Sequence, residues 1–157
     1  MIKNFVATVG VIFGVSAVWA MAQAGQALSS EEVPEAVKKG FQAKFPAVKH
    51  AEWKIKSDQN YEAEFTLKTT EIAAKFDSTG KWLETESAIS RLKVPKAVRD
   101  AAAEKFKGYK VIERQSVQRA NAEALIYELH LENAKEIVKA QFARDGSLLS
   151  QSSKARP

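Results

Sequence analysis

The sequence contains no cysteine in its 157 residues. A protein without cysteine has no disulfide bonds to stabilise it, so its hydrophobic core must hold the fold alone. The same absence excludes a catalytic thiol, a thiolate metal site and the covalent attachment of a c-type haem. What remains open is chemistry that uses histidine, carboxylates or hydroxyl groups.

Histidine is almost as scarce, with only His50 and His130 present. His130 alternates with Glu128 and Glu132, and side chains two residues apart share one face of a strand. A metal site built on that face is conceivable, but an exposed strand histidine among charged neighbours is the simpler interpretation. The sequence has no His-Glu-x-x-His motif and no EF-hand calcium loop.

Catalytic motifs are missing as well. There is no Gly-x-Ser-x-Gly elbow and no glycine-rich phosphate loop, and the seven glycines are dispersed. Carboxylate pairs such as Glu62/Glu64 lie at strand spacing among lysines, which is typical of a solvated face. We therefore predict no enzyme, no cofactor and no bound metal, and we disfavour a weak hydrolase.

Charge of one sign is not concentrated anywhere along the chain. The formal net charge is +5, from 24 basic and 19 acidic residues, and the two signs alternate. A basic cluster occurs only at Lys154 and Arg156. This pattern does not form a nucleic-acid-binding stripe, so we expect no nucleic-acid partner.

The first residues have the three parts of a secretory signal peptide. Lys3 is followed by the uncharged run Phe5–Val18 and then by small residues. We predict that residues 1–24 are a signal peptide, cleaved after Ala22 or Ala24. An uncleaved anchor is the alternative, but the run is shorter than the roughly 20 apolar residues a spanning helix needs. The mature protein is expected to be periplasmic or secreted, without a membrane attachment.

The rest of the chain contains an internal repeat. The matching segments are Val33–Lys38 with Val94–Arg99, at an offset of 61, and Ile72–Phe76 with Val138–Phe142, at an offset of 66. Because the offset grows by five, the second copy carries five additional residues between Glu113 and Tyr127. An ordered match with one gap indicates a tandem duplication.

Each copy begins with Val-Pro and an amphipathic helix, then changes to alternating strands. In the first copy the apolar stripe is Val33, Ala36, Val37, Phe41 and Phe45. Pro46 ends that helix, and Gly108 ends the second one. Four short alternating segments follow in each copy, which predicts an antiparallel meander.

We therefore predict an α+β protein in which a helix followed by a four-stranded antiparallel sheet occurs twice. The first repeat spans residues 25–89 and the second spans residues 90–152. Residues 153–157 form a basic tail. Trp53 is in phase with core positions of its strand, so we place it in the core.

The strand pattern resembles a known family. The resemblance rests on two segments, Tyr61-Glu62-Ala63-Glu64-Phe65 and Ile72-Ala73-Ala74-Lys75-Phe76-Asp77, the second followed by Gly80-Lys81. They resemble the PepSY module, and the tandem form with leading helices resembles the PepSY-like family related in fold to β-lactamase inhibitory protein. The resemblance covers about residues 31–152 and implies exported proteins that bind other proteins. The two disulfides of that inhibitor are missing here, so neither its inhibitory residues nor its target is transferred.

One helix covers only one face of a sheet, so the other face is left as a candidate polar platform for a partner. The candidate residues on this open face are Lys54, Glu64, Lys75, Glu128, His130, Lys139 and Gln141. Trp82 joins them as an anchor if Leu83 points to the core. In the alternative, Trp82 itself points inward and the strand is out of phase.

The five-residue expansion near Gln115–Glu123 is a second candidate, either a functional loop or simply a longer hairpin. We predict an exported binding module that recognises or inhibits another envelope protein through the open sheet face. The alternative is a small-ligand-binding or ion-binding protein that uses a cleft between the two repeats.

Overall fold

The computed structural model describes residues 25–156, which contain nine strands, two α-helices and one 3-10 helix. The first elements in chain order are β1 (Gly25–Leu28), α1 (Glu35–Lys44), β2 (Glu52–Lys56), β3 (Tyr61–Leu67), β4 (Thr70–Phe76) and β5 (Trp82–Ala88). The 3-10 helix Arg91–Lys93 then leads to α2 (Lys96–Lys105), β6 (Lys110–Arg119), β7 (Ile126–Glu132), β8 (Glu136–Phe142) and β9 (Leu148–Ala155).

All nine strands form one antiparallel sheet in which they lie in chain order. The α+β class is as predicted, and four antiparallel strands follow each helix. The two sets of four belong to one sheet of nine strands and do not form a four-stranded sheet in each copy. Strand β5 pairs with β6 through Glu84–Ala88 and Gln115–Arg119, and the unpredicted β1 pairs with β2. Joining the halves in this way leaves fewer unpaired strand edges.

The five additional residues of the second half contribute to this join. Strand β6 has ten residues where β2 has five. Its last part, Val117–Arg119, pairs with Glu84–Glu86 of β5. The expansion is therefore not a free loop throughout, because its first residues extend a strand and the remainder turns towards β7.

Both helices pack on the same face of the sheet. Cross-strand partners share a face, and one row of partners runs from Ile72 through Ser87 and Ser116 to Tyr127. Ile72 belongs to the core under α1 and Tyr127 to the core under α2. The opposite face of the sheet is referred to below as the open face.

Each helix follows a proline, Pro34 or Pro95, and ends at a phenylalanine. The first core consists of Val33, Val37, Phe41, Val48, Trp53, Ala63, Phe65, Ile72, Ala74 and Phe76. The second core consists of Val94, Val98, Ala102, Phe106, Tyr127, Leu129, Leu131, Val138, Ala140 and Phe142. Trp53 is buried in the first core, as predicted from its phase.

The turn after β4 approaches α1 so closely that glycine is required on both sides. A Cβ atom added to Gly40 would lie 2.0 Å from the carbonyl oxygen of Gly80. Gly80 also has a φ of 83°, a left-handed conformation that favours glycine. In the second half the helix position matching Gly40 is Ala101, and the turn glycine is Gly146.

The predicted signal peptide, residues 1–24, lies outside the described residues. Strand β9 continues to Ala155, into the segment predicted as a basic tail. Within residues 25–156, neither the length nor the hydropathy of any helix is sufficient to cross a bilayer.

Candidate functional site: the open face of the sheet

The open face carries a continuous group of charged and amide side chains whose positions follow from strand register. Its members are Lys54, Lys56, Glu62, Glu64, Lys75, Glu84, Glu86, Glu113, Gln115, Arg119, Glu128, His130, Lys139 and Gln141. The structure brings together all seven residues that strand alternation predicted for this face. Lys56 and Glu62 lie on this face as well. The group is completed by residues that were missing from the predicted site, namely Glu84, Glu86, Glu113, Gln115 and Arg119.

In the first half, two lysines of β2 bind two glutamates of β3. Lys54 Nζ lies 2.6 Å from Glu64 Oε1, and Lys56 Nζ lies 3.2 Å from Glu62 Oε1. Both glutamates are buried. Burial is the main influence on Glu62 and raises the pKa of its carboxyl group, although Lys56 opposes the shift.

The centre of the open face is bridged by Glu84 and Arg119, which lie on the two strands that join the halves. Glu84 contacts Lys75 at 3.0 Å and Arg119 Nε at 3.2 Å through its two oxygens. Arg119 also donates to Gln141 Oε1 at 3.1 Å. Gln141 donates in turn to Glu128 at 2.7 Å. The contacts therefore run without a break from the first half to the second.

His130 occupies the centre of the second half, between two glutamates, and only 1% of it is exposed. Nε2 lies 2.9 Å from Glu128, and Nδ1 lies 2.7 Å from Glu113. The angle at Nδ1 is poor for a hydrogen bond, but opposite charges attract at this separation whatever the angle, so we describe the contact as an ion pair. The expectation of an exposed histidine is wrong, because neighbouring strands bury it.

These contacts change proton affinities in the second half. Burial opposes a charged imidazole, but Glu113 and Glu128 outweigh it and raise the pKa of His130 to about 9. Burial would also raise the pKa of Glu128, yet His130, Lys139 and Gln141 lower it to about 2. Burial raises the pKa of Glu86 to about 7, with Lys139 at 3.7 Å acting against the shift.

The arrangement at His130 is that of a salt-bridged imidazolium, with a carboxylate beside each ring nitrogen. Protonated nitrogens have no lone pair to offer a metal ion. Within residues 25–156, no group of three or more histidine and carboxylate side chains is arranged to hold a metal. The metal site conceived around His130 therefore finds no support in this geometry.

Trp82 is not on the open face. It pairs with Phe76, which belongs to the first core, and its ring packs against that core. Trp82 Nε1 donates to Thr85 Oγ1 at 2.9 Å, and Lys44 Nζ lies 3.6 Å from the ring centre. A register shift opposite Lys75 and Phe76 puts the start of β5 out of phase with the rest of that strand. The prediction that Trp82 is an anchor on the open face is therefore wrong, and the alternative that it points inward is correct.

A pocket lies on the helix side of the second half, between α2 and the sheet. It has a volume of about 190 Å³. Its lining comes from residues 91–109 and from β6 and β7, all in the second half. This position differs from the predicted cleft between the two copies.

The sequence matches a family model described as "Putative beta-lactamase-inhibitor-like, PepSY-like" over residues 4–68 and 59–150. No curated protein matches the chain.

Several solved structures from Bacteroides share the fold. A DUF2874 family protein from Bacteroides uniformis aligns with a TM-score of 0.68 at 19% identity, covering 76% of this chain and 88% of that one. A structure described as "putative periplasmic proteins" from Bacteroides eggerthii aligns equally well at 19% identity, over 77% and 88% of the two chains. A BLIP-like protein from Bacteroides fragilis aligns at 0.64 and 21% identity, over 79% and 89%.

Proposed function

Because this chain belongs to the PepSY-like family of beta-lactamase-inhibitor-like proteins, we propose that it is an exported, non-enzymatic module that recognises another envelope protein through its open face. Two copies of one helix-and-strand unit, joined edge to edge, supply this face. The description of a structural neighbour as periplasmic supports the same location for this protein. Inhibition of a hydrolase is the activity that the family description suggests.

The observation that carries the proposal is the unbroken set of contacts across the open face. Lys75, Glu84, Arg119, Gln141 and Glu128 connect β4, β5, β6, β8 and β7 in one series. Side chains held by their neighbours lose little conformational freedom when a partner binds. A fixed pattern of alternating charge also favours one partner over others, since like charges placed opposite each other are costly.

The charges of the open face are balanced, which fits recognition of a protein better than recognition of a simple polyanion. Lys139 lies between Glu128 and Glu86, and His130 lies between two glutamates. Glu128 and His130 are themselves buried. The charges that reach solvent here are therefore those of partly exposed side chains such as Lys139, Arg119 and Glu84. A partner surface with its own mixed charges is the complement that this pattern requires.

The test uses two matched pairs of immobilised baits and an extract of the source cell's envelope. Arg119→Ser and Ser152→Arg alter the open face, because Arg119 pairs with Glu84 and Ser152 with Lys139. Gln118→Ser and Ser153→Arg alter adjacent exposed residues on the helix side of the same two strands. We expect one protein to be retained by the parent and by both helix-side variants, and to be reduced or lost with both open-face variants.

The retained protein is then purified and titrated into the parent and the four variants by calorimetry. A β-lactamase is titrated separately as the target that the family description names. Equal binding by all five proteins would contradict recognition through the open face. The absence of any retained protein at physiological salt would contradict protein recognition itself.

A further inference from the structure

The second core lacks three aromatic rings that fill the first. One is that of Phe65 of β3, which matches Leu131 of β7 at an offset of 66. Phe41 of α1 matches Ala102 of α2, and Trp53 of β2 matches Arg114 of β6, both at an offset of 61. The strand register agrees with this match, because Trp53 lies opposite Ala63 and Arg114 lies opposite Leu129, the residue that matches Ala63. Ala102 and Arg114 both line the pocket under α2, which therefore lies where Phe41 and Trp53 lie in the first half.

The pocket has an apolar interior and reaches solvent. Val94, Ala102, Phe106 and Leu129 contribute apolar walls, while the exposed residue Ala103 lies at its rim. Its volume is about 190 Å³. Apolar cavities of about 150 Å³ in proteins accommodate benzene, so a single aromatic ring fits this space.

Three arginines line the same pocket, and none of them forms an ion pair within the part of the chain that the structure describes. They are Arg91, Arg99 and Arg114. Arg99 Nη1 donates to the carbonyl oxygen of Val94, and Arg114 Nη2 lies 3.5 Å from that of Val111. A guanidinium has five N–H donors, so most of the donors remain available to a ligand. The arginine of the open face, Arg119, is in contrast paired with Glu84.

We propose that this pocket binds a small aromatic carboxylate. The ring takes the place that Phe41 occupies in the first half and packs against Phe106 beneath α2. The carboxylate faces the guanidinium groups of Arg99 and Arg114, whose planar fork matches its two oxygens. This site lies on the helix side of the sheet and does not depend on protein recognition by the open face.

The first half indicates why the apolar part is aromatic. Phe41 there has its ring centre 5.6 Å from that of Phe45, in tilted geometry, and 6.1 Å from that of Phe76, in edge-to-face geometry. The residues that match these two in the second half are Phe106 and Phe142. In the second half, Phe106 has ring partners in Tyr109 at 5.8 Å and Phe142 at 6.5 Å. A bound ring would restore the missing partner, and edge-to-face ring pairs gain energy beyond their buried area.

The experiment titrates phenylacetate into the protein by calorimetry and follows the thermal unfolding temperature in parallel. Phenylacetamide, which lacks the charge, and hexanoate, which lacks the ring, are the comparison ligands. A peptide with a free C-terminal phenylalanine tests whether the same chemistry comes from a chain end instead of a free acid. We expect phenylacetate to bind and to raise the unfolding temperature, and both comparison ligands to bind about tenfold more weakly or worse.

Ala102→Phe fills the pocket with the residue of the first half. Ala102→Leu fills it with a smaller side chain and is used if the phenylalanine variant folds poorly. Either change should abolish binding, and Arg114→Gln should weaken it about tenfold or more. Arg119→Gln, on the open face, is the matched control and should leave the affinity unchanged. No detectable binding at about 1 mM phenylacetate, or binding that survives filling of the pocket, would overturn the proposal.

Discussion

In the first half of the molecule the ring of Phe41 is surrounded by four other rings, those of Phe45, Trp53, Phe65 and Phe76. In the second half the matching position is Ala102, and a pocket takes the place of the ring. The backbone around the two positions is the same in element order and strand register. The two halves therefore share a framework, while only the second has an open core.

The residues that stayed equivalent are those that fix the framework. Val37 and Val98 are fully buried under their helices, and Phe76 and Phe142 are fully buried beneath them. Changes occur between the helices and the sheet, where Ala102, Arg114 and Leu131 stand at the positions of Phe41, Trp53 and Phe65. The comparison shows that the same buried valine and phenylalanine positions are kept in both halves, while the packing between helix and sheet differs.

The largest expected effect comes from opening the first core as well. Phe41→Ala gives the first half the residue of the second and should lower the free energy of unfolding by about 3–5 kcal/mol, because surrounding rings cannot collapse into the space. Denaturant unfolding measures it. The converse change, Ala102→Phe, should be neutral or slightly stabilising. Equal losses from both changes would show that the halves do not differ in packing.

The next largest effect is a dependence of stability on pH. It is expected from the second half of the open face, because only that half contains a buried histidine. The position of His130 is taken by Glu64 in the first half. Since the pKa of His130 is raised to about 9 in the folded protein, its proton is held more tightly than in the unfolded chain. That stabilisation is complete below the ordinary value of 6.5 and is lost as the pH rises through 9.

The size of this pH effect follows from the difference between the two pKa values. The free energy of unfolding should fall by about 3 kcal/mol over that window. Unfolding of the parent and of His130→Gln is measured from about pH 6 to about pH 10. Both proteins should lose stability as Glu86, whose pKa is raised to about 7, ionises, and only the parent should lose it further above that pH. His50→Gln, at an exposed position, serves as the control. An imidazole that titrates near its ordinary pKa by NMR would contradict this account.

A smaller effect is expected at Trp82, whose counterpart is Leu148. Because the ring packs against the first core, Trp82→Ala should cost about 2 kcal/mol of stability and should leave partner binding at the open face intact. Trp82→Leu, which copies the second half, should cost less. If binding were lost while stability was retained, Trp82 would be a recognition residue after all. Thermal unfolding and the bait experiment together separate the two cases.

The smallest expected effect tests the contact between helix and turn. Comparing the copies suggests that Gly40→Ala is harmless, because Ala101 stands at the matching position. The contact with Gly80 predicts the opposite, since the new Cβ would meet a backbone oxygen at 2.0 Å. The crowding should outweigh the better helix propensity of alanine and leave a net loss of about 1 kcal/mol. Any gain in unfolding temperature would contradict the close approach.

Much of the fold could be predicted because the relevant signals are local. Helix α1 follows Pro34 and ends at Phe45, as the apolar stripe and Pro46 indicated. Strand β3 begins at Tyr61 and includes the whole alternating segment that ends at Phe65. The same alternation assigned Lys75, Glu128 and Lys139 to the open face, since strand parity needs no knowledge of the neighbouring strands.

Other features could not be obtained in this way. The bulge that turns Trp82 inward is a property of the pairing between β4 and β5, and alternation within one strand does not reveal it. The roles of Glu84 and Arg119 depend on β5 lying beside β6. Arg114 could have been flagged by comparing the copies, because an arginine stands where the first copy has a core tryptophan.

The sequence by itself determined the strand faces, the helix stripes and the repeat, because each depends on residues a few positions apart or on direct comparison of two segments. Only the tertiary structure decided that the halves share one sheet, that His130 is buried between two carboxylates, and that a pocket opens under α2. These features arise from packing between residues that are distant in the chain. Burial and cavity volume depend on everything that surrounds a side chain, which no local pattern records.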